Sequence, residues 1–342
     1  MPATVCFGEI MLRLSPPGFE RFLQSPRFEA TFGGGEANVA VSLAQFGLDS
    51  RYVTRLPANP IGDAALRALR AEGVDVSHVL RGGSRLGIYF AETGASQRPS
   101  TVVYDRAHSA ISELQPGSVD WGRVFDGAAW FHWTGITPAL SASAAACTRE
   151  AIDAARKAGA KVSVDLNFRR KLWSEAEAQT VMRPLVQGSD VVIANEEDLQ
   201  AVLGVAVPDV DVTTGELDHA AYQLAQADVA RELGVRQIAV TLRESLSASD
   251  NAWSAVLFDA AAGAFYESQR YVVRLVDRIG GGDSFAAGLI FGRLSGRDAM
   301  ASLRFAVAAS ALKQTIPGDF NRVSIADVDR LAAGDASGRV QR

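Results

Sequence analysis

The chain has 342 residues, of which 48% are hydrophobic and 21% are charged, and its net charge is −5 at pH 7. This composition is typical of a globular protein, and the acidic balance argues against nucleic acid or an anionic membrane as a partner. Two cysteines, Cys6 and Cys147, do not make a disulfide scaffold, and no CxxC metal pattern occurs. The chain lacks a signal-peptide pattern and an apolar run long enough to span a bilayer, which predicts a cytoplasmic protein.

The first third of the chain predicts strands and helices in alternation, followed by a hairpin. The expected elements are a strand at Ala3–Phe7, a short strand at Phe28–Phe32, a helix at Glu36–Phe46, a strand at Arg51–Arg55, a helix at Asp63–Glu72, and two strands at Leu86–Glu92 and Ser100–Arg106. The polar residues 93–99 between the last two strands indicate a hairpin rather than a βαβ unit. We expect this hairpin and the short strand to form a small β-rich lid.

From Ala128 onward the alternation of strands and helices becomes regular. Strands are expected at Ala128–Trp133, Lys161–Leu166, Asp190–Ala194, Gln237–Leu242, Trp253–Phe258 and Ala264–Arg274, and helices at Ser141–Ala158, Glu175–Gln187, Glu197–Leu203, Ala220–Leu233, Asp283–Leu294, Ala299–Thr315 and Ile325–Ala333. Strands joined by crossover helices predict a doubly wound, mostly parallel sheet in a three-layer α/β fold. We expect one domain over residues 1–335, a lid formed by about 9–33 and 76–108 inserted in it, and a disordered tail at 336–342.

The stretch from Asp277 to Gly288 carries the clearest chemical signal. Gly280, Gly281 and Gly282 lie between two aspartates, and a helical pattern begins at Asp283. Successive glycine N–H groups can converge on one point, and the positive end of the helix dipole adds to them, so the stretch predicts an anion site. Asp283 could act as the base that activates an attacking hydroxyl, or it could only cap the helix.

Polar residues follow three of the predicted parallel strands, and ligands of such sheets bind beyond the carboxyl ends of the strands. These groups are residues 165–169, 195–198 and 243–245. Neither a Walker A sequence nor a GxGxxG fingerprint is present, so a redox enzyme with a dinucleotide is not favoured.

With Gly33 to Asn38 near its start and Asp277 to Asp283 near its end, the chain resembles the PfkB (ribokinase-like) family of carbohydrate kinases from about Val5 to Asp319. Further stretches are similar to the 2-keto-3-deoxygluconate kinases of that family: 87–90, 104–106, 134–137, 167–174 and 195–197. The resemblance implies transfer of the γ-phosphoryl group of ATP, with Mg²⁺, to the terminal hydroxyl of a six-carbon keto acid. Whether a monovalent cation is also needed stays open. Asp283 would then be the base, and Gly280 to Gly282 the anion hole.

The same resemblance implies the remaining site residues. Substrate binding falls to Gly34, Gly35, Asn38, Tyr89, Tyr104, Arg106, Arg169 and Asp319, and nucleotide binding to Asn167, Arg169, Asn195, Thr241, Arg243, Ser245, Gly280 and Gly282. Asp198 stands where relatives have glutamate and would approach the metal through water. From sequence alone Asp319 is expected in a plain turn, whereas the resemblance implies that it reaches the substrate. Arg278 could either face the phosphates or point to solvent.

Residue types in the lid also fit an acidic sugar. Tyr104 and Arg106 are two apart on a predicted strand and so share a face, with Tyr89 on the partner strand. An aromatic ring packs on a sugar skeleton, and a guanidinium binds a carboxylate. The alternative is a structural tyrosine pair beside a solvated arginine.

Two other functions stay open at this point. One is a kinase for a neutral sugar such as fructose, and the other is a non-catalytic sugar- or nucleotide-binding regulator. The exposed lid could pair with a second copy, so we expect a dimer or higher homo-oligomer.

Overall fold

A computed structural model describes residues 2–195, 197–205, 219–335 and 338. The expected tail at 336–342 lies, apart from residue 338, outside the described residues, as does Glu196. The strands are β1 Ala3–Phe7, β2 Met11–Ser15, β3 Glu29–Gly33, β4 Asp49–Val53, β5 Arg55–Leu56, β6 Leu80–Arg81, β7 Gly87–Glu92, β8 Thr101–Asp105, β9 Ala128–Thr134, β10 Lys161–Asp165, β11 Val191–Ala194, β12 Gln237–Ser245, β13 Asp250–Asp259, β14 Ala264–Glu267 and β15 Tyr271–Arg274.

Helices connect most of these strands. They are α1 Gly35–Gln45, α2 Pro60–Ala71, α3 Trp121–Val124, α4 Ile136–Ala139, α5 Ala142–Lys157, α6 Glu175–Val186, α7 Asp198–Leu203, α8 His219–Leu233, α9 Gly281–Leu294, α10 Ala299–Lys313 and α11 Ile325–Ala332.

The main sheet has nine strands in the order β14-β13-β12-β11-β10-β9-β1-β4, with β15 also paired to β13. Within this sheet β4, β1, β9, β10, β11 and β12 form parallel pairs in that order. The pairs of β13 with β12, β14 and β15 are antiparallel. Side chains alternate between two cores: Val5 and Phe7 face one, and Cys6 faces the other. The predicted doubly wound α/β fold is confirmed, while the domain limits at 1–335 stay a prediction.

A separate four-stranded sheet, in the order β3-β2-β7-β8, forms the lid. Strands β7 and β8 pair antiparallel as the hairpin pattern predicted, and Tyr89 lies opposite Tyr104. Strand β2 was not singled out in the sequence. Its Arg13 is charged at a buried position, which breaks the pattern of apolar residues on one face of the strand.

One predicted strand is divided into two in the structure. Residues 264–274 form two strands rather than one, because β14 pairs with the second half of β13 and β15 pairs with the first half. No helix among the described residues has the length and apolar character that a bilayer crossing requires.

Candidate active site

The glycine loop, residues 277–282, connects β15 to the start of helix α9. Gly280 is the N-cap of α9 and has φ 85°, a conformation that favours glycine. A Cβ at this position would lie 2.2 Å from the carbonyl oxygen of Asp319, so no side chain fits there. Gly281 and Gly282 begin the helix, and all three glycines line a cavity of about 320 Å³. The backbone donors of the first helical turn therefore lie at the cavity wall, where an anion would be stabilised.

Asp283 is the third residue of α9 rather than its cap. The cap position belongs to Gly280, and no side chain caps this helix end. Instead, Oδ2 of Asp283 accepts a hydrogen bond of 2.6 Å from Nδ2 of Asn38. Loss of hydration in the enclosed cavity raises the pKa of Asp283 to about 6, against the opposing effect of the Asn38 hydrogen bond. The capping alternative is thereby excluded.

The first glycine motif is brought against the second. Gly34 is the N-cap of α1, and its N–H donates to Oδ1 of Asn38 over 3.3 Å. Asn38 thus bridges Gly34 and Asp283 with the two ends of one amide. Gly35 also lines the cavity, so all three predicted residues of this motif reach the site.

The lid contributes an aromatic and charged wall to the cavity. The rings of Tyr89 and Tyr104 have centroids 6.0 Å apart, and both residues line the cavity. Arg106 also lines it but is not a solvated charge: it is buried and paired with Glu9, with 2.8 Å between its Nε and Glu9 Oε2. The sequence did not predict this partner, because Glu9 lies 97 positions before Arg106 in the chain.

The strand ends supply the opposite wall. The cavity is lined by Asn167, Arg169, Asn195 and Arg243, which follow predicted strands, and by Thr241, which lies within one. Asn167 has φ 43°, a turn that the carboxylate of Asp165 supports by accepting its N–H over 3.1 Å.

Ser245 is the exception among the predicted residues. It is exposed at the end of β12 and does not line the cavity, because that strand extends further than expected. Arg278, whose direction the sequence left open, does line the cavity, and burial together with nearby Arg243 lowers its pKa.

Two buried acids, Asp165 and Asp198, also line the cavity. Asp198 accepts N–H groups from Phe168 at 3.2 Å and Asn195 at 3.0 Å, so its carboxylate is held by backbone donors. Burial raises the pKa of both acids, and the nearby carboxylates of Asp198 and Asp283 raise the pKa of Asp165 further. Within the described residues no three His, Cys, Asp or Glu side chains form a metal-binding group.

Asp319 is buried and lines the cavity, so it is not part of a plain exposed turn. Its Oδ2 accepts the hydroxyl of Tyr89 over 2.5 Å, and its Oδ1 lies 2.8 Å from Nη1 of Arg13. Sequence analysis named Asp165 only within the polar group at 165–169, without a role, and it missed Arg13. Asp165 does carry a local signal, since it ends a buried strand beside Asn167, whereas Arg13 carries none.

Comparison with known proteins agrees with this geometry. Residues 1–322 match the model of the pfkB family of carbohydrate kinases. A 2-dehydro-3-deoxygalactonokinase of Haloferax volcanii is 33% identical over 98% of both chains, and a 2-dehydro-3-deoxygluconokinase of Thermoproteus tenax is 31% identical over 93% of this chain and 90% of its own. The crystal structure of a 2-dehydro-3-deoxygluconokinase from Thermotoga maritima has a TM-score of 0.93 and 50% identity, covering 98% of this chain and all of that one. The chain therefore belongs to the pfkB family of carbohydrate kinases.

Proposed function

We propose that the protein transfers the γ-phosphoryl group of ATP to the terminal hydroxyl of a 2-keto-3-deoxy sugar acid, with 2-keto-3-deoxygluconate as the first candidate. The observation that carries the proposal is that Asp283 and the three glycines at the N-terminus of α9 line the same cavity. The similarity to sugar-acid kinases of Thermotoga maritima and Thermoproteus tenax supports the choice of acceptor.

Asp283 is the proposed base. Its raised pKa, about 6, lies near neutral pH, where a base is both ionised and able to hold a proton. Asn38 fixes Oδ2, which leaves Oδ1 to take the proton of the acceptor hydroxyl as that oxygen attacks phosphorus. The amides of Gly280 to Gly282 stabilise the negative charge of the transferring group.

The residues present fit a magnesium ion held largely by water and phosphate. Magnesium in kinase sites commonly takes one or two carboxylates and keeps several waters. Asp165 and Asp198 are buried beside one another, and a cation would relieve the cost of their two charges. Bound there, Mg²⁺ would neutralise part of the charge of the ATP phosphates, while Arg243 and Arg278 face the same cavity from the chain itself.

The acidic group of the acceptor has two candidate partners. Arg169 lies at the end of a main-sheet strand, and Arg106 lies on the lid, and both line the cavity. Arg106 is already paired with Glu9, so we assign the larger part of acid recognition to Arg169. Tyr89 and Tyr104 would pack on the carbon skeleton.

A panel of acceptors tests the proposal by Mg²⁺-ATP-dependent ADP release, in the presence and absence of K⁺. It contains 2-keto-3-deoxygluconate, its C4 epimer 2-keto-3-deoxygalactonate, fructose and ribose. The two acids should be phosphorylated far better than the neutral sugars. The epimer is included because the Haloferax volcanii relative is named for it. A preference for fructose would select the neutral-sugar alternative, and no ADP release with any acceptor would select the regulator.

We further propose a homo-oligomer formed through the lid. Three alternate residues of β8, Thr101, Val103 and Asp105, are exposed, as are residues 29–31 of β3 at the other edge of the same sheet. Light scattering should give at least twice the monomer mass, and a charged substitution at Val103 should reduce it.

A further inference from the structure

A cluster of four buried charged residues lies beside the glycine loop. Arg13 comes from lid strand β2, Asp277 from the start of the loop, Lys313 from the end of α10, and Asp319 from the segment after it. Their exposed fractions are 5%, 9%, 0% and 3%. Two positive and two negative groups are therefore neutralised together, and one of them belongs to the lid.

Arg13 makes the contacts that join the two parts of the cluster. Its Nη1 lies 2.7 Å from Oδ2 of Asp277 and 2.8 Å from Oδ1 of Asp319. Its Nε donates to Oγ of Ser15 on the same lid strand, over 2.8 Å. The guanidinium is thus fixed to the lid and presented to two carboxylates of the main domain.

Asp277 shapes the glycine loop. Its Oδ1 accepts the N–H of Ile279, and its Oδ2 accepts the N–H of Gly318, both over 3.1 Å. Its carbonyl oxygen accepts Nζ of Lys313 over 3.3 Å. The side chain that pairs with Arg13 therefore also holds the turn immediately before Gly280.

Asp319 connects the same cluster to the lid's aromatic wall. Its second carboxylate oxygen holds the hydroxyl of Tyr89, where we place the sugar. A continuous path of contacts thus runs from Tyr89 through Asp319, Arg13 and Asp277 to the anion hole.

We infer that Arg13 is a positioning residue that couples the seating of the lid to the shape of the glycine loop. Both carboxylates are compensated by Arg13 only when β2 is in place. With β2 displaced, Asp277 and Asp319 lose the cation that lies between them, beside a site that has to receive phosphate. In this arrangement the lid both covers the acceptor and completes the anion hole. Because the anion hole is complete only when the lid is in place, ATP hydrolysis is limited when no acceptor is bound. The inference rests on the proposed function.

The variant that tests this is Arg13→Lys, which keeps the charge but lacks the fork that reaches Ser15 and both carboxylates at once. Arg98→Lys is the matched control, because Arg98 also pairs with a buried lid carboxylate, Glu92, while its second partner is the carbonyl of Phe19 in the lid. With the acceptor that the wild type uses, Arg13→Lys should lower kcat at least 30-fold and leave the KM for ATP within threefold. It should also raise ATP hydrolysed per product formed at least fivefold. Arg98→Lys should stay within twofold on each measure.

Hydrogen exchange of the backbone amides gives a readout that needs no turnover. Peptides covering 277–283 should exchange at least fivefold faster in Arg13→Lys than in Arg98→Lys. If Arg13→Lys does not fold, Ser15→Ala, which only frees the guanidinium from its strand, should give smaller changes in the same direction. Unchanged exchange in 277–283 together with kcat within threefold of wild type, in whichever variant folds, overturns the inference. If the wild type phosphorylates no acceptor, the proposed function is wrong. The comparison of amide exchange in 277–283 between Arg13→Lys and Arg98→Lys then still decides the role of Arg13.

Discussion

Nδ2 of Asn38 and Oδ2 of Asp283 are 2.6 Å apart, although the two residues are separated by 245 positions in the chain. One belongs to the first glycine motif and the other to the second. The hydrogen bond therefore joins the two stretches on which the family resemblance was based, and it does so at the proposed base.

Replacing Asp283 by Asn should lower kcat on the order of 10³-fold with little change in either KM. The amide keeps the size of the side chain but cannot accept the proton, so the loss falls on the transition state. Steady-state kinetics with the preferred acceptor check this. Turnover close to that of the wild type would remove Asp283 from the role of base.

The pH dependence of kcat should show an acid limb near pH 6, because Asp283 must be ionised to act and its pKa is raised to about 6. The Asn38 hydrogen bond favours the ionised form, so Asn38→Ala should move this limb upward by roughly one pH unit. A rate profile from pH 5 to 9 measures both midpoints. An acid limb that stays in place in Asn38→Ala would contradict the assignment of that limb to Asp283.

Arg169→Ala should raise the KM for the acid acceptor by about 10- to 100-fold, since a charge-assisted hydrogen bond to a carboxylate is lost. An analogue whose carboxylate is reduced to an alcohol should be affected much less. The ratio of the two specificity constants is the measurement. Arg106→Ala is examined beside it together with its thermal unfolding, because that change leaves buried Glu9 without its partner.

Gly280→Ala and Gly282→Ala form a matched pair. At Gly280 a methyl group would meet the Asp319 carbonyl at 2.2 Å in a φ 85° conformation, and we expect a loss of about 2–4 kcal/mol in the free energy of unfolding. At Gly282 a Cβ would meet no atom of the described residues within 4 Å, apart from its chain neighbours and its own helix backbone, so stability should be nearly unchanged, within about 1 kcal/mol. Urea unfolding of both variants checks this order, and equal losses would mean that the loop relaxes around Gly280.

Glu36→Gln should make stability less dependent on pH. Glu36 is fully buried, and burial raises its pKa to about 7 despite hydrogen bonds from Thr134 and Thr137. Because the folded chain holds this proton more tightly than the unfolded chain does, its contribution to stability is present in full below the unfolded pKa and is lost as pH rises through 7. Between pH 4 and 8 the free energy of unfolding of the variant relative to the wild type should therefore increase by about 3 kcal/mol. A constant difference across that range would show that Glu36 titrates normally.

Local sequence signals and the family resemblance together identified most of the residues that line the cavity. Strand ends, the glycine motifs and the hairpin each place their residues by short-range geometry, and all the predicted positions except Ser245 line the cavity. Ser245 lies outside the cavity because β12 continues past Leu242, where it pairs with β13. The apolar pattern of the sequence alone does not locate the end of that strand. The role of each residue in binding and catalysis stays a prediction.

By itself the sequence determined the doubly wound sheet, the lid hairpin and the family. Hydrophobic periodicity and motif spacing are local properties, so they can be read without knowing how the elements pack. Tertiary structure alone decided that Asp283 is bonded to Asn38 rather than capping its helix, that Arg106 is paired with Glu9, and that Arg13 reaches Asp319 across 306 positions of sequence. Such contacts depend on which surfaces meet when the lid, the loop and the helices pack. The sequence pattern of a single segment does not predict these contacts, because each residue is compatible with its own strand, loop or helix whichever residue lies opposite.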